Sequence, residues 1–349
     1  MRSLLRLRPH PGSSTPGSRA ARSSSRSRRP RLAASLTLSA LAAGAALLGD
    51  VAPAQAASWW HPMTFGAAVS TRADVEAHER VLGSRLNGLR VYKKWDGQLF
   101  GSSQTWARDT GHTLYVSIRS ARNNGSLVRW SEIADAAPGS ALYSDMQRQA
   151  RQIKAFGAPV YISFNHEPEA KVSWDNGNGP EFVAAWRKLI SVWRAEGVTN
   201  ARYVFTGTAY GFVRKDDRRV DNYYPGDDYV DDIAADGYNW YQCRSNGGWT
   251  ELAQVIEGHR RFGQQHPSKG LMLWEFGSAE DRNWPGRKAQ WLRNATQLFQ
   301  QPGWEQYTAV LTWEGRYYGD SCGFDYTSSP SAQSAWVDMA HNPAFSRTG

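Results

Sequence analysis

The run Pro159-Val160-Tyr161-Ile162-Ser163-Phe164 leads into Asn165-His166-Glu167-Pro168-Glu169. Mostly β-branched, aromatic and apolar residues predict a buried strand, and the polar cluster with Pro168 ends it. A carboxylate directly after such a strand is costly to desolvate, so Glu167 reads as a residue kept for chemistry. A second run repeats the arrangement, since Gly270-Leu271-Met272-Leu273-Trp274 ends in Glu275-Phe276-Gly277.

Outward from these two, short apolar runs recur along the chain. The predicted strands are Thr64–Val69, Asn87–Lys93, Thr113–Ile118, Pro159–Asn165, Ala201–Thr206, Asp232–Trp240, Gly270–Glu275 and Tyr307–Trp313. Helical patterns lie between them. Thr71 opens Val75–Leu82, Gly157 stops Ser144–Phe156, and Pro180-Glu181 opens Phe182–Ala195, with Phe182, Trp186, Ile190 and Trp193 on one face. Strands alternating with helices imply a parallel sheet, and eight such units predict an α/β fold of the closed (β/α)8 TIM barrel type. The first strand runs into Ser70-Thr71-Arg72 with no Gly-rich phosphate turn, which excludes a Rossmann reading.

Chemistry in such barrels sits at the C-terminal ends of the strands. Glu167 on the fourth strand and Glu275 on the seventh then face each other across the mouth. Two facing carboxyls are what glycoside hydrolysis needs, one as acid/base and one as nucleophile, about 5–5.5 Å apart in a retaining enzyme.

At these residues the chain resembles glycoside hydrolase clan A, and most closely family 26, the β-mannanase family. Most families of the clan place Asn before the acid/base Glu; family 26 has His there, as in His166-Glu167. Tyr224-Pro225-Gly226-Asp227-Asp228-Tyr229-Val230-Asp231 with Asp236-Gly237-Tyr238-Asn239-Trp240, and Trp274-Glu275-Phe276-Gly277, match in order across residues 59–340. The resemblance implies that Glu167 is the acid/base and Glu275 the nucleophile, oriented by Tyr238. It also implies that His166 contacts the sugar beside the scissile bond and that Trp313 is a stacking platform. It further implies a β-1,4-mannan substrate, cut internally.

After Glu167 the family pattern is lost, because Pro168-Glu169-Ala170-Lys171-Val172-Ser173-Trp174 replaces part of the substrate-binding loop. Another β-glycan, such as β-1,3- or β-1,4-xylan or mixed-linkage glucan, is the alternative substrate. A non-catalytic glycan-binding barrel is the alternative function. Trp174 either supplies the missing aromatic or packs. Trp240, Trp59, Trp60, Tyr92, Trp95, Tyr241, Tyr317 and Tyr318 lie near strand ends and either line the cleft or fill the core. Arg90, Lys93 and Arg119, late in strands 2 and 3, read as surface charges or ion pairs, with sugar hydroxyls or an acidic substituent as the alternative partner.

The 349 residues are 41% hydrophobic and 12% aromatic, a globular composition. The net charge of +9 comes mostly from residues 1–56, which hold nine arginines against Asp50 and leave about +1 on residues 57–349. No global basic field remains for nucleic acid or an anionic membrane. Residues 1–56 read as a secretory signal peptide: a basic Ser/Pro-rich stretch, the apolar run from Leu32 to Leu48, then Ala54-Gln55-Ala56 before the cut. Arg28-Arg29 leaves the twin-arginine route open. The expected product is one secreted, monomeric catalytic domain over 57–349 with a polysaccharide as its partner and no cofactor. Cys243 and Cys322 suit an oxidising compartment, either as one disulfide between the loops after strands 6 and 8 or as buried thiols. No zinc-protease helix is formed, as Ala170 stands where a second His is needed. Asp175-Asn176-Gly177-Asn178-Gly179 lacks the closing Glu of a calcium loop, and no Gly-x-Ser-x-Gly elbow is found.

Overall fold

The computed structural model describes residues 63–69, 71–244, 247–317 and 322–345. The predicted signal segment, Trp59, Trp60 and Tyr318 lie outside the described residues. Eight strands form in chain order: Thr64–Ala68 (β1), Gly88–Lys94 (β2), Thr113–Arg119 (β3), Val160–Phe164 (β4), Ala201–Thr208 (β5), Asp232–Asn239 (β6), Gly270–Ser278 (β7) and Tyr307–Thr312 (β8). Each pairs in parallel with the next, and β1 closes on β8 with Thr64 opposite Ala309, which completes the expected barrel.

Helices Arg72–Leu82 (α1), Ser102–Asp109 (α2), Trp130–Ala134 (α3), Ala141–Phe156 (α4), Gly179–Ala195 (α5), Leu252–Val255 (α6), Glu257–Gln265 (α7), Arg287–Leu298 (α8) and Pro330–Ala340 (α9) surround it. Their ends follow local chemistry. Thr71 and Asp74 form a capping box on α1, Asn178 and Glu181 another on α5, and Gly157 ends α4 in the left-handed region at φ 71°. Trp186, Trp193 and Trp291 are buried between helices and barrel, as their helical spacing predicts. Trp95 is also fully buried, its indole N–H donating to Asp145, so this strand-end aromatic packs rather than lines a cleft.

Inside the barrel lies a smaller cluster of Tyr115, Val204, Ala234, Met272, Trp274, Ala309 and Leu311. Strands buried on both faces need apolar side chains in both directions, which is why they read as continuous runs. The interior is a packed floor: Tyr115 stacks on Tyr161 at 4.8 Å and meets Trp274 edge-on at 5.8 Å.

One strand departs from the sequence expectation. β7 does not stop at Glu275 but continues to Ser278. Against β6, Ala235 pairs with Leu273 and Asp236 with Glu275, so Trp274 is an extra residue. This β-bulge lets Trp274 and Glu275 both point inward, while Phe276 points outward to stack on Trp291.

Cys243 and Cys322 form a disulfide, with Cα atoms 5.3 Å apart and 79 residues between them in sequence. Cys322 lies in a short hairpin of Arg316–Tyr317 (β9) and Cys322–Gly323 (β10). Closing so long a loop restricts the unfolded chain by about 2–4 kcal/mol. Cys322→Ser paired with Cys243→Ser is therefore expected to lower Tm by roughly 5–10 °C in a thermal melt, and an unchanged Tm would show that the link adds nothing.

Candidate active site

The C-terminal end of β4 is bent by two residues with positive φ, Asn165 at 42° and Glu167 at 52°. Asn tolerates this region, but Glu does so only when its surroundings hold it there. Those surroundings are visible. Asn165 Oδ1 accepts from the Ser120 N–H at 3.1 Å and its hydroxyl at 2.8 Å, Asn165 Nδ2 donates to Ser173 at 3.1 Å, and the Glu167 N–H donates to the Thr206 carbonyl at 2.8 Å. Asn165 is thus a frame residue that aims the His166-Glu167 pair.

Glu275 is gripped from three sides. Tyr92 donates to Oε1 at 2.7 Å, Tyr238 donates to Oε2 at 2.7 Å, and the Arg90 guanidinium lies 3.4 Å from Oε1. Burial, then the Glu275 charge, pushes both phenols well above the usual tyrosine range, so they remain donors. Arg90 is fully buried, bonded to the Ser117 hydroxyl at 2.6 Å and held 4.4 Å over the Trp274 ring. It is the ion pair the sequence suggested, placed at the centre of the site. Lys93 points away, to Gln104 at 3.2 Å.

Glu167 is in the opposite condition. Burial raises its pKa well above the ordinary carboxyl value, Glu275 and Glu169 raise it further, and Arg90 and Arg244 oppose them. One carboxyl is therefore set up to carry a proton, and the other is held between two phenol donors and a guanidinium. That division separates a general acid from a nucleophile. His166 is kept neutral by burial and by Arg90 and Arg119, with its Nδ1 unpaired and its ring 5.6 Å from Tyr92.

Asp236, on an inward position of β6, has both carboxyl oxygens buried without a partner, and burial, Glu275 and Glu167 push its pKa well up. His166, Glu167 and Asp236 place one nitrogen and two carboxyl oxygens within 4.8 Å of one another. Such donors suit a divalent cation by composition; unpaired beside a carboxyl pair, they equally complement the hydroxyls of a sugar. Glu169 accepts from the Thr208 N–H at 2.7 Å and hydroxyl at 2.6 Å, which anchors the loop after β4 to that after β5.

A cleft of about 880 Å³ is lined by His166, Glu167, Tyr238, Trp240 and Glu275 among others. Trp313 and Trp174 are not in that lining. Trp313 stands edge-on to Tyr238 at 5.8 Å, its indole lying over Gly315 where a Cβ would collide with it. Trp174 is half-exposed at the rim, its N–H donating to the Glu169 carbonyl at 3.2 Å. Sequence reasoning missed the parts played by Arg90, Tyr92, Asp236 and Glu169. The signal for the first three was parity: Arg90 and Tyr92, like Asp236 and Tyr238, are two apart on an inward face.

The family model for glycosyl hydrolase family 26 matches residues 125–298. Endoglucanase H of Acetivibrio thermocellus is 26% identical over 301 residues, covering 78% of this chain, while the chain spans only 30% of that relative's length. Among solved structures, the catalytic domain of a Bacillus sp. JAMB-750 GH26 endo-β-1,4-mannanase superposes with a TM-score of 0.58 at 14% identity, covering 81% of this chain and 87% of that one. A GH26 β-mannanase from Bacteroides ovatus gives 0.56 at 15% identity, covering 81% and 89%. These structural likenesses concern the fold.

Proposed function

We propose a mechanism and a substrate for this chain, which belongs to glycoside hydrolase family 26 and is a glycoside hydrolase: it acts as a secreted, retaining β-glycan endo-hydrolase, with β-1,4-mannan as the substrate. The observation that carries the mechanism is the unequal treatment of the two carboxyls. Glu275, oriented by two phenols and charge-matched by Arg90, attacks the anomeric carbon, and the glycosidic C–O bond breaks as Glu167 delivers its proton to the leaving oxygen. Glu167, now a carboxylate, takes a proton from water, whose oxygen displaces Glu275 and restores both groups. His166 and Asp236 offer hydrogen-bonding groups to hydroxyls of the sugar under attack, and Trp240 lines the cleft with them.

Mannan is supported by the His166-Glu167 motif and by the mannanases that share the fold. The substituted loop after Glu167 and the relative named as an endoglucanase favour a second reading, a β-glucan. Export is supported by the basic and apolar pattern of residues 1–56 and by the disulfide. The test is reducing-end release by the mature protein, expected as a monomer, on β-mannan, glucomannan, β-1,3- and β-1,4-xylan and mixed-linkage glucan. Activity on the mannans with products of several sizes is the expected result; activity on glucan alone would move the specificity, and silence with retained binding would make the chain a glycan-binding protein.

A further inference from the structure

The cleft is lined almost wholly by residues at and after the ends of β3, β4, β5 and β6, with Glu275 the lone contribution from β7. If Glu167 is the proton donor, this half of the mouth holds the leaving group. Its polar lining sets four cations beside four carboxyls, Glu167, Glu169, Asp236 and Glu275. Arg119, Lys171, Arg214 and Arg244 all face it, although residues 57–349 carry almost no net charge.

Most of these cations are uncommitted. Arg214 is paired with Asp216. Among the described residues no carboxylate lies within 4.0 Å of the side-chain nitrogens of Arg119, Lys171 or Arg244; Arg119 makes only a long 3.4 Å contact to the Val172 carbonyl. Glu167, Asp236 and Glu169 are the carboxyls nearby, and burial favours the protonated form of each, while Glu275 is matched by Arg90.

Three aromatic side chains around the same mouth are covered by guanidinium groups. Arg244 lies 3.8 Å above Trp240, Arg214 5.1 Å above the exposed Tyr210, and Arg218 4.8 Å above Trp174. A bare indole would offer a neutral pyranose a stacking face, but here each ring presents a cation held in place by its π-face. Of these, Arg244 lines the cleft and lacks a carboxylate, and a planar guanidinium fixed in this way is suited to bind one.

We infer that the leaving-group half of the cleft binds a sugar unit bearing a carboxylate, a uronate or a carboxylated substituent, through Arg244, Lys171 and Arg119. This rests on Glu167 being the proton donor, which fixes which half is which. The natural glycan is then a form of the proposed β-glycan that carries acidic units, and its neutral form is cut less efficiently.

The test uses partially carboxymethylated mannan, or the carboxymethylated form of whichever neutral glycan is cleaved. Each cut turns the leaving-group sugar into a new non-reducing end, and mass spectrometry of the fragments reads its substitution. Carboxymethyl groups enriched at least fivefold at new non-reducing ends over the polymer average are expected, falling to the average in an Arg244→Gln/Lys171→Gln variant and in 0.5 M NaCl. Random ends, or enrichment at new reducing ends, would overturn the inference with the hydrolase reading intact. A protein that cleaves neither form of any polymer would fail that reading, and this one with it.

Discussion

Glu275→Gln is expected to lower kcat on the order of 10⁵-fold while glycan binding persists, because the substitution removes the attacking oxygen and little of the cleft. Structure adds a second expectation for the same variant. Arg90 is completely buried and has its charge partner in Glu275. A neutral amide leaves that guanidinium uncompensated, which costs about 3 kcal/mol in a buried pair. The amide also meets phenol donors on both sides, so one of the hydrogen bonds from Tyr92 and Tyr238 must be lost or reversed. A lower Tm should accompany the lost turnover. Initial rates on the preferred polymer, affinity electrophoresis and a melt measure all three. Residual activity above about 1% would remove Glu275 from the nucleophile's role.

Glu167→Gln should also be slow, by about 10²–10⁴-fold on polymers, yet its effect on stability has the opposite sign. In the folded protein the Glu167 pKa is raised. Between its unfolded value near 4.3 and the folded value, the native state binds more protons than the unfolded one, so stability falls as pH rises through that window. Gln bears no such cost. The variant should therefore be more stable than the wild type, by a margin that grows as pH rises from about 4. The wild-type rate should decline at high pH as the acid loses its proton, and that limb should vanish from what activity the variant retains. A Tm difference independent of pH, or an unchanged basic limb, would contradict the assignment of Glu167 as the proton-bearing carboxyl.

The barrel was legible because the strands are buried on both sides over most of their length and so read as largely apolar runs. Helix starts were legible where a side chain caps the backbone, as at Thr71 and Asn178. Glu167 and Glu275 stood out because a carboxylate after an apolar run has few structural explanations. Tyr92 was harder: its exposed ring resembles any loop aromatic, and only the closed barrel brings it to Glu275, 183 positions later. Arg90 read as an ion pair or a surface charge, and its place beside Glu275 stayed hidden because a sequence shows charge and not depth. Asp236 was hidden for a similar reason, since an inward carboxyl with no partner looks in sequence like any polar residue of a strand.

The extra residue in β7 means that the place of Glu275 is set by counting as well as by chemistry. A strand's side chains fall into odd and even sets, and without the bulge Glu275 would share the outward set with Leu271 and Leu273, among the packed helices. A single deletion between Met272 and Trp274 would leave the -Glu-Phe-Gly- motif intact in any alignment and regularise the strand, keeping Glu275 inward but turning Trp274, the ring under Arg90, outward. A graft of β7 from a relative must therefore carry its misalignment along with its glutamate.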